Sequence, residues 1–158
     1  MRSDLHNKDL ASLDPGLFNL IQLENERQDR RLIMIPSESI APPGIRDALG
    51  SSFTNIYAEG YPRPETRSYS ENDILDYTNM IGTYRRYSDP RYYKGVEYVD
   101  VLEALARRRC AESFAANGIN PDDLFINVQP LSGAPANNAV YTALLSPGDT
   151  ILGMSLLH

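Results

Sequence analysis

The stretch from Leu124 to Met154 constrains the fold more than any other part of the sequence. Leu124-Phe-Ile-Asn-Val128 reads as a strand, Gln129 to Gly133 as a tight turn, and Pro135 to Leu145 as a helix. Ser146-Pro-Gly-Asp149 is a second turn, and Thr150 to Met154 a second strand. Strand, helix and strand joined by short links make the βαβ unit of an open α/β sheet, with a right-handed crossover expected.

The residues before it read mainly as helix and loop. Asp14 is placed to cap a helix that opens at Pro15, with Leu17, Leu20, Ile21 and Glu24 on one face. The apolar stripe fades into Glu26-Arg-Gln-Asp-Arg-Arg31, the pattern of an arm lying against a partner. Pro42-Pro43-Gly44 starts another short helix, and residues 51–64 read as a loop. Ser70 and Asp73 suggest a capping box, followed by Ile74, Tyr77, Ile81 and Tyr84 at helical spacing. Glu97 to Phe114 is a long helix whose expected buried stripe is Val99, Leu102, Leu105 and Ala106. The organisation is thus a helical arm over 1–50, loops over 51–98, and the start of an α/β domain over 99–158.

The formal net charge of −6 argues against broad attraction to nucleic acid or an anionic membrane. Arg107-Arg108-Arg109 is the one basic cluster, and it reads as a solvated helix face. A single cysteine, Cys110, rules out an intrachain disulfide and suits a packed thiol. Met1 to Leu13 has no continuous apolar run, so neither a secretory signal nor a membrane span is expected there. A cytoplasmic location is the default. The apolar run to His158 reads as a chain cut short, because domain boundaries usually fall in polar linkers.

Two segments carry chemical signals. In Gln129-Pro-Leu-Ser-Gly-Ala-Pro-Ala-Asn137 a helix N-terminus offers backbone N–H groups and partial positive charge to a phosphate. Gly133 would let the backbone approach an anion, and Ser132 could donate a hydroxyl. From the turn alone, an ordinary capped helix accounts for these residues better, and no lysine follows the glycine as in a P-loop. The second signal is Tyr57-Ala-Glu-Gly-Tyr-Pro62 with Arg91-Tyr-Tyr-Lys-Gly95. Tyrosines beside Glu59 could hold a ligand and move a proton, although spacing alone favours a packing loop. Glu59 would need a partly dry site to act as an acid at neutral pH.

Taken in order, these segments resemble one family. The chain carries Leu23-Glu-Asn-Glu-Arg-Gln28, Ile35-Pro-Ser-Glu-Ser39, Thr54-Asn-Ile-Tyr-Ala-Glu-Gly-Tyr-Pro62 and Arg91-Tyr-Tyr-Lys-Gly-Val-Glu-Tyr-Val-Asp100. Asn127-Val-Gln-Pro130, Ser132-Gly-Ala-Pro-Ala-Asn137, Ala139-Val-Tyr141 and Pro147-Gly-Asp-Thr-Ile-Leu-Gly-Met154 follow. The series is similar to the N-terminal third of serine (glycine) hydroxymethyltransferases. The resemblance implies the fold-type-I architecture of pyridoxal-phosphate enzymes: a helical arm, a large α/β domain with a mostly parallel sheet, and a small C-terminal domain. It implies transfer of a one-carbon unit between serine and glycine with tetrahydrofolate, at sites on the interface of a homodimer.

Residue by residue, the resemblance assigns Ser37 to the amino-acid substrate and Glu59 to proton donation or folate orientation. Tyr57 matches a tyrosine reaching the cofactor phosphate across the dimer, and Tyr93 one reaching the substrate carboxylate. Tyr92 and Leu156 fall where the family touches folate. Ser132, Gly133 and Ala134 fall on the phosphate turn.

Four departures stand out. Ala134 replaces the second serine of the usual Ser-Gly-Ser, a lost hydroxyl worth about 1.5–3 kcal/mol to a bound phosphate unless water or a neighbour substitutes. Ser39 stands where the family has asparagine. Residues 63–90 form an insertion between Tyr-Pro and Arg-Tyr-Tyr, expected to pack across the active-site entrance or the dimer seam, or else to be a solvent-facing ornament. The family's Schiff-base lysine, pyridine-pairing aspartate, ring-stacking histidine and carboxylate-binding arginine would all follow His158. An aggregation-prone or poorly ordered fragment without transferase activity is therefore expected. The competing readings are another fold-type-I enzyme, such as an aldolase or desulfurase, and a non-catalytic protein joining subunits through the arm and loops.

Overall fold

Helices begin where side chains can satisfy the backbone N–H groups that a first turn leaves unpaired. The computed structural model describes residues 8–88 and 90–155. The chain divides into two compact units, Met1–Ser51 and Ser52–His158.

In the first unit, α1 (Leu10–Leu13) is capped by Asp9, which accepts from Ser12 N at 2.9 Å. The longer α2 (Pro15–Arg30) is capped as expected by Asp14, which accepts from Leu17 N at 2.9 Å, with Pro15 in its first turn. A third helix, α3 (Pro43–Leu49), opens at the expected prolines. None of these helices buries a residue, and Leu17, Leu20, Ile21 and Leu23 all lie exposed along α2.

The second unit is built around α6 (Glu97–Phe114). Two shorter helices, α4 (Glu71–Leu75) and α5 (Tyr77–Tyr87), pack against it and contribute Ile74, Met80 and Ile81 to a core shared with Val101 and Ala104. The capping box forms as expected. Asp73 N donates to Ser70 Oγ at 3.2 Å, while Ser70 N donates back to the Asp73 carboxylate at 3.0 Å. What reads as one helical pattern is broken at Asp76. Its N–H closes α4 on Asn72 O, and its carboxylate opens α5 by accepting from Asn79 N at 3.1 Å.

Three 3₁₀ turns, Ser52–Asn55, Pro64–Ser68 and Pro121–Asp123, complete the irregular connections. The last helix, α7 (Gly133–Leu144), begins two residues before Pro135 and ends at the turn Ser146–Asp149. That turn closes with Asp149 N on Ser146 O at 3.1 Å, and Gly148 takes the positive φ that its third position demands.

Three expectations need correction. Among the described residues no strand forms, so the βαβ unit is seen only as its central helix and two non-helical flanks. A strand needs a partner ladder, and among the described residues 125–129 meet other segments through side chains rather than backbone bonds. Phe125 lies beneath the Arg67 guanidinium, 4.5 Å from ring centroid to Cζ. Asn127 donates to Tyr61 OH at 3.2 Å, and Gln129 to Gly60 O at 2.6 Å. In the second expected strand, Leu152 and Met154 are each 99% exposed.

The buried face of α6 also departs from the expected stripe, of which Leu105 packs against the core while Val99 and Ala106 are half-buried. Leu102 is exposed, whereas Asp100, Val101, Glu103, Ala104 and Ala111 are buried. The reason is a buried arginine, described next. The triple arginine is likewise no free positive face. Arg107 donates to Thr66 Oγ1 at 2.8 Å, Arg108 pairs with Glu112 and Asp122, and Arg109 pairs with Glu71.

Candidate functional site

Arg91 is the second unit's polar centre, with only 1% of its surface exposed. A buried guanidinium is tolerated only when its fixed fork of donors finds acceptors. Here Nε donates to Asp100 and Nη2 to Glu103 at 2.7 Å, while Nη1 reaches the carbonyls of Ala58 at 2.6 Å and Gly60 at 2.9 Å. Burial by itself would pull Arg91 down. The hydrogen bonds and charges of the two carboxylates outweigh it and hold the group above the ordinary arginine range. Asp100 and Glu103 sit three residues apart on α6, the spacing that puts two side chains on one helix face.

The arginine fixes two loops at once. Its acceptors Ala58 and Gly60 flank Glu59, and Tyr92 N donates to Glu59 O at 3.0 Å. Gly60 adopts φ +104°, and a Cβ there would lie 2.9 Å from Arg91 Cα, so the close approach requires glycine. Pro62 is fully buried just beyond. Gln129 joins from the third side, donating to Gly60 O and to both Glu103 oxygens at 3.0 and 3.1 Å. The segment leading into α7 is therefore tied to the Glu59 loop.

On the outside of this centre the tyrosines gather. Tyr57 and Tyr93 rings lie 5.6 Å apart and tilted, and Tyr92 meets Tyr93 edge-on at 5.0 Å. Tyr57 and Tyr92 are 78% and 77% exposed, and Glu59 is exposed beside them. Four of the residues singled out from sequence, Tyr57, Glu59, Tyr92 and Tyr93, thus come from two loops into one cluster. The partly dry surroundings expected around Glu59 are not supplied by the described residues.

The turn that opens α7 has the features an anion needs. Ser132 occupies the N-cap without spending its hydroxyl on the helix, and no acid sits in the first turn. A Cβ on Gly133 would meet nothing within 4 Å, and Ala134 carries no second hydroxyl. The N–H groups of Gly133 and Ala134 precede the first helical bond, from Ala136 N to Ser132 O. Ser37 belongs to the first unit, exposed in a turn closed by Glu38 N on Ile35 O at 3.0 Å. Leu156 lies outside the described residues.

The insertion is no ornament. Ile74 is completely buried, and three of the five core residues come from 63–90.

The description "Serine hydroxymethyltransferase" belongs to a family model that matches residues 10–87 and 82–158, two stretches that meet inside the insertion. The chain belongs to the serine hydroxymethyltransferase family. It is 43% identical over 149 residues to a serine hydroxymethyltransferase of Aggregatibacter actinomycetemcomitans, an alignment covering 94% of this chain and 28% of that relative. The chain thus spans under a third of the relative's length. No helix among the described residues is long and apolar enough to cross a membrane.

Sequence reasoning missed Arg91, Asp100, Glu103 and Gln129 as the frame of this serine hydroxymethyltransferase cluster. The signal was present in an arginine directly before the tyrosine pair and two acids at i, i+3 on the next helix.

Proposed function

We propose that these residues belong to an enzyme that moves a one-carbon unit between serine and glycine with pyridoxal phosphate and tetrahydrofolate. The observation that carries this reading is the convergence of Tyr57, Glu59, Tyr92 and Tyr93 on the frame around Arg91, in a chain whose family is serine hydroxymethyltransferase. Pyridoxal phosphate, when bound, acts as the electron sink for bond cleavage at the amino acid's α-carbon.

The chain's own part is to hold and to orient. The free N–H groups of Gly133 and Ala134 and the Ser132 hydroxyl would grip the cofactor phosphate, aided by Tyr57 of a second subunit. Tyr93 would take the substrate carboxylate and Ser37 the amino acid. Glu59 would orient folate or give up a proton there, with Tyr92 and Leu156 against the folate. A homodimer interface would supply the dryness that Glu59 lacks within one unit. The 158 residues taken alone are proposed to be inactive, since neither Lys8 nor Lys94 stands in a segment like the family's cofactor lysine.

The test is serine cleavage by the full-length protein, with and without tetrahydrofolate. Folate-dependent turnover that drops at least a hundredfold in Glu59→Gln is expected. Cleavage indifferent to folate would favour an aldolase-like relative instead.

A further inference from the structure

The insertion reaches the tyrosine cluster through one side chain. Val96, the residue preceding α6, makes no side-chain cap, and Gly95 before it takes φ +84°. The backbone N–H groups there are satisfied from α5. Tyr84 OH accepts from Gly95 N at 2.9 Å and from Val96 N at 3.3 Å. The phenol oxygen takes the amide of the N-cap residue and of the one before it, the N-cap amide being the one that the N3 side chain of a capping box satisfies elsewhere.

We propose that Tyr84 is a positioning residue for Tyr92 and Tyr93, and that holding this loop is the insertion's role in the active site. The loop 91–96 has two anchors. At its start Arg91 is fixed to Asp100, Glu103 and the Glu59 loop, and Tyr92 N is bound to Glu59 O. At its end Tyr84 is the polar anchor, beside the buried side chain of Val96. The two tyrosines lie between the anchors, so their ring positions depend on both.

Tyr84 is itself held firmly. Ile81, on the same helix, is buried in the core with Val101 and Ala104 of α6. Arg107 to Thr66 and Arg109 to Glu71 bind the rest of the insertion to the same helix. The insertion therefore moves with α6, and its phenol reports that helix's position to the loop. The effect on folate rests on the function proposed above, whereas the effect on the loop does not.

The test is Tyr84→Phe in the full-length protein, with Tyr87→Phe as control. Tyr87 lies on the same helix with its ring against Arg63 and has no part in the anchor. Amide exchange at Gly95 and Val96 should accelerate about fivefold or more in Tyr84→Phe. The dissociation constant for tetrahydrofolate should rise about three- to tenfold, while pyridoxal-phosphate content stays at the control's value. Unchanged exchange at Gly95 and Val96, or equal changes in the control, would overturn the proposal. Faster exchange with unaltered folate affinity would overturn the active-site role. A parent protein that binds no folate at all would instead sink the proposed function, with the exchange result still deciding whether Tyr84 holds the loop.

Discussion

Gly60 and Arg91 stand so close that a Cβ on the glycine would lie 2.9 Å from the Cα of the arginine. The same glycine's carbonyl accepts from Arg91 Nη1 and from Gln129 Nε2. Position and conformation both demand glycine here, since φ is +104°. Gly60→Ala should destabilise the second unit by about 1–3 kcal/mol, read as a lowered denaturant midpoint. A midpoint equal to wild type would mean that the two loops are less tightly joined than this geometry requires.

Removing the arginine should cost more. Arg91→Met leaves Asp100 and Glu103 buried without their cation, a loss of about 3–5 kcal/mol. Arg91→Lys should recover little of it, because one ammonium cannot reach four acceptors laid out for a planar fork. Urea unfolding of both variants followed by circular dichroism provides the comparison.

The capping box predicts a smaller effect within the insertion. Ser70→Ala removes the acceptor for Asp73 N and should cost about 1 kcal/mol. Because α4 carries the fully buried Ile74, the loss should appear in the unfolding of the whole unit rather than as local fraying.

The first unit offers a pH test. Glu24 accepts from Arg27 at 2.7 Å twice and from Gln28 at 2.8 Å, which pulls its pKa from 4.5 to about 2. A carboxylate with a depressed folded value adds stability above its unfolded pKa and loses it as pH falls through the folded one. The interaction on α2 should therefore be intact above pH 4.5 and vanish as pH drops toward 2. Carboxyl NMR titration of Glu24 should show a midpoint near 2 in wild type and a return toward 4.5 in Arg27→Ala.

Ala134 invites a gain of function. If the α7 turn grips phosphate as proposed, Ala134→Ser restores one hydroxyl donor to a charged acceptor. Pyridoxal phosphate should then dissociate from the full-length protein roughly ten- to a hundredfold more slowly. Equal dissociation rates would show that water or a neighbour already fills that place.

How much of this was legible in the sequence depends on whether the signal was local. Asp14, Ser70 and Asp73 announce their helices because a cap acts within four residues, and Glu97–Phe114 forms over the range that its periodicity marks. The cluster of Tyr57, Glu59, Tyr92 and Tyr93 was legible only through family likeness, since its members lie on separate loops. The buried face of α6 was read only in part, in Leu105, because hydrophobicity was the guide. Nothing local reveals that Asp100 and Glu103 turn inward to meet an arginine nine and twelve residues away in the chain. The strands failed for a related reason, since a strand exists only with a partner's backbone, and among the described residues 125–129 find no such ladder.

The burial of Ile74, Met80 and Ile81 beneath α6 makes residues 63–90 part of the foundation of the second unit. Excising them would strip three apolar side chains from against Val101 and Ala104 and orphan the two amides held by the Tyr84 phenol. The segment's surface can vary freely, but shortening the chain there would demand compensating replacements along α6.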